Sequence, residues 1–212
     1  MFIELIDLFR CINAHEDTWL VASFKTVSSR FVIDGTLGCP ICSAKYPITA
    51  GVADFTAGAE MPRRTAGQSA ATLEREELAT RAGAFLNATE PGATVILGGR
   101  WASGAQELSL IAESRVLALN AQSGVEESET VGLLLVGSEI PVAPGSVLGV
   151  ALDALFPPEI LASAVKAVRP GGRIVGPTEM PPPAGLAVLA HDENYWVAEK
   201  APEVIKLSRA GR

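Results

Sequence analysis

The chain has 212 residues, 48% of them apolar and 19% charged, with a formal net charge of −7. That length and apolar content support one full domain plus a small one and exclude extensive disorder. The acidic balance, with Lys and Arg scattered, argues against a large nucleic-acid footprint. No apolar run reaches the roughly 18 residues that span a bilayer.

The first ten residues, MFIELIDLFR, read as a short amphipathic helix over Phe2 to Phe9. Glu4 and Asp7 interrupt its apolar face, and there is no basic start followed by a small-residue cleavage site. A cytoplasmic location is the expectation. Trp19 to Phe24 and Arg30 to Leu37 have strand-forming composition and are separated by a polar turn over Thr26 to Ser29. Gly38-Cys39-Pro40-Ile41-Cys42 is a tight knuckle that aims two thiols at one point, and the chain has 3 cysteines in all. That number makes no disulfide framework in a cytosolic protein of this size, whereas a C-x-x-C knuckle suits tetrahedral zinc.

Helix, Cys11, knuckle and the following Tyr46-Pro47-Ile48-Thr49-Ala50-Gly51-Val52 occur in an order that resembles the small zinc-ribbon-like domain known as a methyltransferase activator. The resemblance covers residues 1–58, an α+β module. Zinc-binding members of that family open with C-P-x-C, and here the motif reads Cys11-Ile12-Asn13-Ala14. Two readings follow. Either His15 supplies the fourth ligand, so that Cys11, His15, Cys39 and Cys42 form a structural Cys₃His zinc site, or the metal is lost and an apolar remnant keeps the fold.

Residues 57–71 are small, polar and aperiodic, which places an interdomain linker over 59–71. Thr72 then caps a helix running to about Leu86, with Leu78, Ala82, Phe85 and Leu86 on one face. Strands are expected at Thr94–Leu97, Arg115–Leu119, Val131–Val136, Val147–Leu152 and Arg173–Val175. Helices are expected at about Gly104–Ala112 and Pro158–Val168, with a short helix or loop over Ser123–Thr130. Beyond Pro181-Pro182-Pro183, strands are expected at Leu186–Ala190, Tyr195–Glu199 and Val204–Leu207, the first two joined by a hairpin at Asp192-Glu193-Asn194. Short apolar strands alternating with amphipathic helices predict a Rossmann-like, doubly wound, mostly parallel α/β sheet over 72–212.

The stretch Ser146 to Gly176, with its Arg169-Pro170-Gly171-Gly172 turn, resembles the fourth strand, following helix and fifth strand of class I S-adenosylmethionine (SAM)-dependent methyltransferases. Ile140-Pro141-Val142-Ala143-Pro144-Gly145-Ser146 is similar to the family's L-P-F-x-x-x-S loop. The resemblance implies an antiparallel C-terminal edge. It also implies where SAM would be held: an acid near the end of the first strand, a G-x-G-x-G loop, an acid ending the second strand and another after the third. Aligned on Gly99, the first acid position is Leu97 and the second glycine is Trp101. The loop begins Gly98-Gly99, the second strand ends in Asn120, and Ser138 follows Gly137 where the family has an acid. A charge-assisted hydrogen bond contributes about 1.5–3 kcal/mol, so losing several weakens binding by about three powers of ten or more.

Other chemistry has less support. Asp153 ends the fourth strand without a His, Lys or second acid placed beside it by sequence, and reads as a loop-start residue. His191 falls in a polar hairpin, Ser103 lacks a G-x-S-x-G frame, and Tyr195 and Trp196 read as packing on an edge strand.

The leading expectation is therefore a methyltransferase-like protein with an eroded SAM site, a pseudoenzyme acting as a scaffold or regulatory partner. Its partner would be another protein or a second copy of itself, with no nucleic acid and no membrane. The alternative is an active SAM-dependent methyltransferase with divergent anchors and an unidentified acceptor. A third reading gives the altered pocket a less charged ligand stacked on Trp101. The position of that indole separates them, since an inward indole favours erosion and an open cleft favours a ligand. If the sheet geometry is intact, Trp101→Gly with Leu97→Asp is expected to improve SAM affinity.

Overall fold

A computed structural model describes residues 1–58, 72–122 and 124–202. The expected linker and the expected strand Val204–Leu207 lie outside these residues, as does Ser123. In the N-terminal part, β1 (Val21–Ser28), β2 (Phe31–Gly38), β3 (Lys45–Thr49) and β4 (Val52–Phe55) form an antiparallel meander. Then come α1 (Thr72–Leu86), β5 (Thr94–Gly98), α2 (Ala105–Ile111), β6 (Arg115–Leu119), β7 (Val131–Val136) and β8 (Val147–Ala151). The chain continues as α3 (Ile160–Ala167), β9 (Val168–Pro177), β10 (Leu186–His191) and β11 (Tyr195–Lys200).

All the strands join one sheet in the order β1-β2-β3-β4-β7-β6-β5-β8-β9-β11-β10. The stretch β4-β7-β6-β5-β8-β9 is parallel, while β11 and β10 close the C-terminal edge antiparallel. The segment β7-β6-β5-β8-β9 has the order of a doubly wound fold whose strand order reverses between β5 and β8. This is the mixed α/β, doubly wound architecture that alternation predicted, parallel at its core because both faces are covered, with the antiparallel C-terminal edge that the methyltransferase resemblance implied. On one face Leu78, Ala82 and Leu86 of α1 and Leu108 of α2 pack with Val95, Leu97 and Val116. On the other, Ile160 and Ala164 of α3 pack with Ile96, Leu117 and Val150, together with residues of the N-terminal segment.

Several local expectations change. The amphipathic N-terminal segment is a 3₁₀ helix over Ile3–Leu8, not an α-helix. Tertiary contacts explain this: Met1 and Leu5 lie on Gly132 of β7, Phe9 bridges to Val142, and the Arg10 amide donates to the Pro141 carbonyl at 2.9 Å. The segment thus covers β7, whose connections to β6 and β8 carry no helix among the described residues. β1 starts at Val21 and runs on to Ser28, so the reversal narrows to Ser29 and Arg30, at φ of 47° and 71°. The Arg169–Gly172 turn is a bulge inside the long strand β9: Val147 pairs with Val168 and Gly149 with Arg173, with Gly171 at φ of 77°. Residues 124–130 form a loop pinned by Ser128, whose hydroxyl accepts from the amides of Thr130 and Val131. Among the described residues no helix is long and apolar enough to cross a membrane.

Candidate functional site

Two places could carry chemistry: the cysteine knuckle and the crevice where the strand order reverses. At the first, the loop after the 3₁₀ helix supplies Cys11 and His15, and the turn between β2 and β3 supplies Cys39 and Cys42. Their ligand atoms all lie within 4.8 Å of one another. Tetrahedral zinc with sulfur at about 2.3 Å requires sulfur–sulfur separations of about 3.8 Å and sulfur–nitrogen separations of about 3.5 Å. Cys11 Sγ to Cys42 Sγ is 3.6 Å, and Cys39 Sγ to His15 Nε2 is 3.4 Å. The donor set fits a structural zinc ion, with all four positions taken by protein and none open to a substrate.

The surrounding hydrogen bonds match that use. His15 Nδ1 lies 2.7 Å from the Glu16 carbonyl, which holds a proton there and leaves Nε2 free to ligate. The Asn13 side-chain amide donates to Cys42 Sγ at 3.3 Å, and Tyr46 Oη meets Cys11 Sγ at 3.2 Å. The amide of Ala44, followed by Asn13, holds the Cys42 thiol down to about 6, so little proton work opposes ligation at neutral pH. Burial raises the Cys11 thiol and, with Cys11 beside it, the Tyr46 phenol. The bond to the Glu16 carbonyl raises His15. Ala14 is not in the cluster; His15, one residue on, is the member that joins the three cysteines. Asn13 and Tyr46 were not foreseen as neighbours of the cluster, although both lie inside the motifs that drew attention to it.

At the crevice, β5 ends in Gly98 and β8 in Ala151, side by side. In a doubly wound sheet this is where a ligand enters, between the carboxyl ends of the diverging strands. Here Asp153, buried to 7% exposure, reaches across: its carboxylate accepts from the Arg100 amide at 2.7 Å and from its own loop's Leu155 amide at 3.1 Å. Gly99 sits directly beneath it at φ of 64°, and a Cβ there would collide with the carboxylate. A Cβ on Gly98 would lie 2.8 Å from both Leu152 and Phe156, so these side chains fill the adjoining space. The close backbone approach that glycine allows is used by Asp153, Leu152 and Phe156.

The remaining cofactor positions are also engaged internally. Asn120, at φ of 50°, turns its side-chain amide onto Val136, donating to the carbonyl and accepting from the N–H, both at 2.9 Å. It thereby extends the β6–β7 ladder past the end of β6. Leu97 is buried in the face beneath α1. Trp101, 1% exposed, lies on that same face, tilted against Tyr195 at 4.9 Å and edge-on to Phe85 at 6.2 Å. Its indole points inward, into packing below α1, and its N–H has no acceptor among the described residues. Ser138 is half-buried beyond β7. Trp196 is buried and donates from Nε1 to the Met180 carbonyl at 2.6 Å, and His191 is exposed at the end of β10. Ser103 is buried in the 3₁₀ turn Gly99–Gly104.

Replacing Asp153 with Ala should cost about 1–3 kcal/mol, because the Arg100 and Leu155 amides lose their acceptor inside a closed loop. A thermal melt reads this directly; an unchanged midpoint would mean the carboxylate does not hold the loop.

No protein-family model matches this sequence, and no curated protein matches it significantly. The structure is similar to those of SAM-dependent methyltransferases. A geranyl diphosphate methyltransferase in complex with geranyl diphosphate (GPP) and sinefungin is 16% identical, at a TM-score of 0.40 over 46% of this chain and 42% of its own. MycE methyltransferase of the mycinamycin biosynthetic pathway is 14% identical, at 0.42 over 60% and 49%. The [4+2]-cyclase SpnF is 13% identical, at 0.44 over 62% of each chain. The chain thus spans less than half the length of the first two structures. At these values the likeness concerns fold only, and the fold assignment rests on the strand order described above.

Proposed function

We propose that this chain is a methyltransferase-fold protein without methyl-transfer activity, which works through its surfaces as a scaffold or regulatory partner. The observation that carries this reading is the hydrogen bond from the Arg100 amide to Asp153 across the reversal of strand order. A cofactor bound there would have to break that bond and displace Leu152 and Phe156, which close on Gly98. It would regain none of the charged anchors, since Leu97, Asn120 and Ser138 stand at their positions. Weak polar compensation against the loss of buried internal contacts leaves binding unfavourable.

In this reading residues 1–58 are a zinc-ribbon-like module of activator type and 72–212 the methyltransferase-like unit. The module's role is structural: it supplies β4 to the edge of β7, and its metal clamps the loops that lead there. The partner is a protein or a second copy of the chain, and the net charge of −7 argues against nucleic acid.

Calorimetric titration of the zinc-supplemented protein with SAM and with S-adenosylhomocysteine tests the proposal. No heat of binding up to millimolar ligand is expected. Micromolar affinity for either compound would sink it and direct attention to a methyl acceptor.

A further inference from the structure

We propose that Cys11 and Cys42 are an oxidation site, at which a peroxide joins the two thiols as a disulfide and thereby opens the metal cluster. The inference rests on reading the four-residue cluster as a metal site, and it adds the chemistry by which that site would be undone. Three cysteines share the cluster, but they are not equivalent. Cys42 is exposed, Cys11 is half-buried and Cys39 is buried. Cys42 Sγ is therefore the sulfur a solvent-borne oxidant meets first, and access governs which thiol oxidises.

The second thiol is selected by geometry. Cys11 Sγ lies 3.6 Å from Cys42 Sγ, on a separate segment of chain. Cys39 is a poorer partner: its sulfur accepts the Cys42 amide at 3.5 Å and faces His15 Nε2 at 3.4 Å, inside the knuckle. Attack of the Cys42 thiolate on hydrogen peroxide breaks the O–O bond, forms an S–O bond and releases hydroxide. Attack of the Cys11 thiolate on the resulting sulfenic sulfur forms the S–S bond and expels a second hydroxide. Two solvent protons convert both to water. The thiols lose two electrons, the peroxide gains them, and the metal keeps its oxidation state.

Only His15 and Cys39 then remain as ligands, and two ligands do not hold zinc in a structural site. The disulfide keeps Cys11 tied to the knuckle, so the structural consequence falls on His15, whose link to Cys39 runs through the cluster. Tyr46 also loses its thiol partner, although its stacking on Phe55 at 4.7 Å is untouched.

The experiment uses the full chain, reconstituted with zinc and assayed for metal content. Hydrogen peroxide is added, zinc release is followed with a chromogenic chelator, and peptides are mapped by mass spectrometry without reduction. Release of one equivalent of zinc per chain is expected, together with a cross-link between the Cys11 and Cys42 peptides. Cys39 should remain alkylatable, and a thiol reductant with added zinc should restore the starting state. Zinc retained under peroxide, or a bond between Cys39 and Cys42, would overturn the inference. A chain that takes up no zinc overturns the metal reading instead, and the peptide map still decides which thiols pair.

Discussion

Trp101→Gly combined with Leu97→Asp, a change designed to rebuild a SAM loop, is expected to unfold the protein without creating a SAM site. Both side chains belong to the core face under α1, where Leu97 is fully buried and Trp101 is 1% exposed. Removing a buried Trp side chain costs about 3–5 kcal/mol, because the cavity relaxes only in part. Phe85 and Tyr195 lose the ring between them. An unpaired carboxylate at Leu97 adds several kcal/mol of desolvation, or is driven to its neutral form at comparable cost. Against a total stability of about 5–15 kcal/mol, the double variant has little or no folded population left.

The crevice gains nothing in return. Its space is taken by Leu152, Asp153 and Phe156, which the two substitutions leave in place. Circular dichroism and a thermal melt, followed by titration with SAM, decide the matter. A cooperative melt with micromolar SAM binding would show that the indole had been the obstacle and that the Asp153 contact yields to ligand.

Removing the metal is expected to lower the melting midpoint by about 8–16 °C. Zinc held at a thousand times its dissociation constant stabilises the native state by about 4 kcal/mol. For a chain of this size each kcal/mol moves the midpoint by about 2–4 °C. An ion held by the four residues would link the loop of residues 11–15 to the knuckle of residues 39–42, so its loss would be felt at both. Cys39→Ser should reproduce the shift without a chelator, since Cys39 is the buried member of the cluster and faces His15. Elemental analysis and paired melts with and without a strong chelator check the result. A midpoint that stays put would mean that apolar packing holds the module, with Tyr46 and Phe9 on Phe55 as its centre.

Some elements were legible because they are coded locally. β6 and β7 have the bounds their apolar runs predicted, Arg115–Leu119 and Val131–Val136, and α1 spans Thr72–Leu86, with Thr72 as its first helical residue and not its cap. Two-sided burial writes itself as an uninterrupted apolar run. The cluster of Cys11, His15, Cys39 and Cys42 was legible in part: the knuckle stands in its own spacing, while its pairing with the segment around Cys11 is what the resemblance to the activator-type module implied. Less was visible where a remote partner decides. The segment Ile3–Leu8 has an amphipathic pattern that suits an α-helix, yet its seat on Gly132 and Val142 draws it into 3₁₀ geometry. The R-P-G-G run reads as a turn, but β8 continues to pair on either side of it and makes it a bulge. Trp101 reads as a residue on a cofactor loop, whereas it packs below α1.

By itself the sequence determined the class of sheet and the alternation that makes its core parallel. Both depend on residue types at short, regular intervals. The tertiary structure alone decided that β4 would pair with β7 and make one continuous sheet, and that Met1 to Phe9 would cover it. It alone brought the carboxylate of Asp153 onto the amide of Arg100, 53 residues away in the chain. Such contacts depend on the twist and register with which distant strands meet, and no local spacing encodes where a side chain at the end of one strand will find the backbone of another.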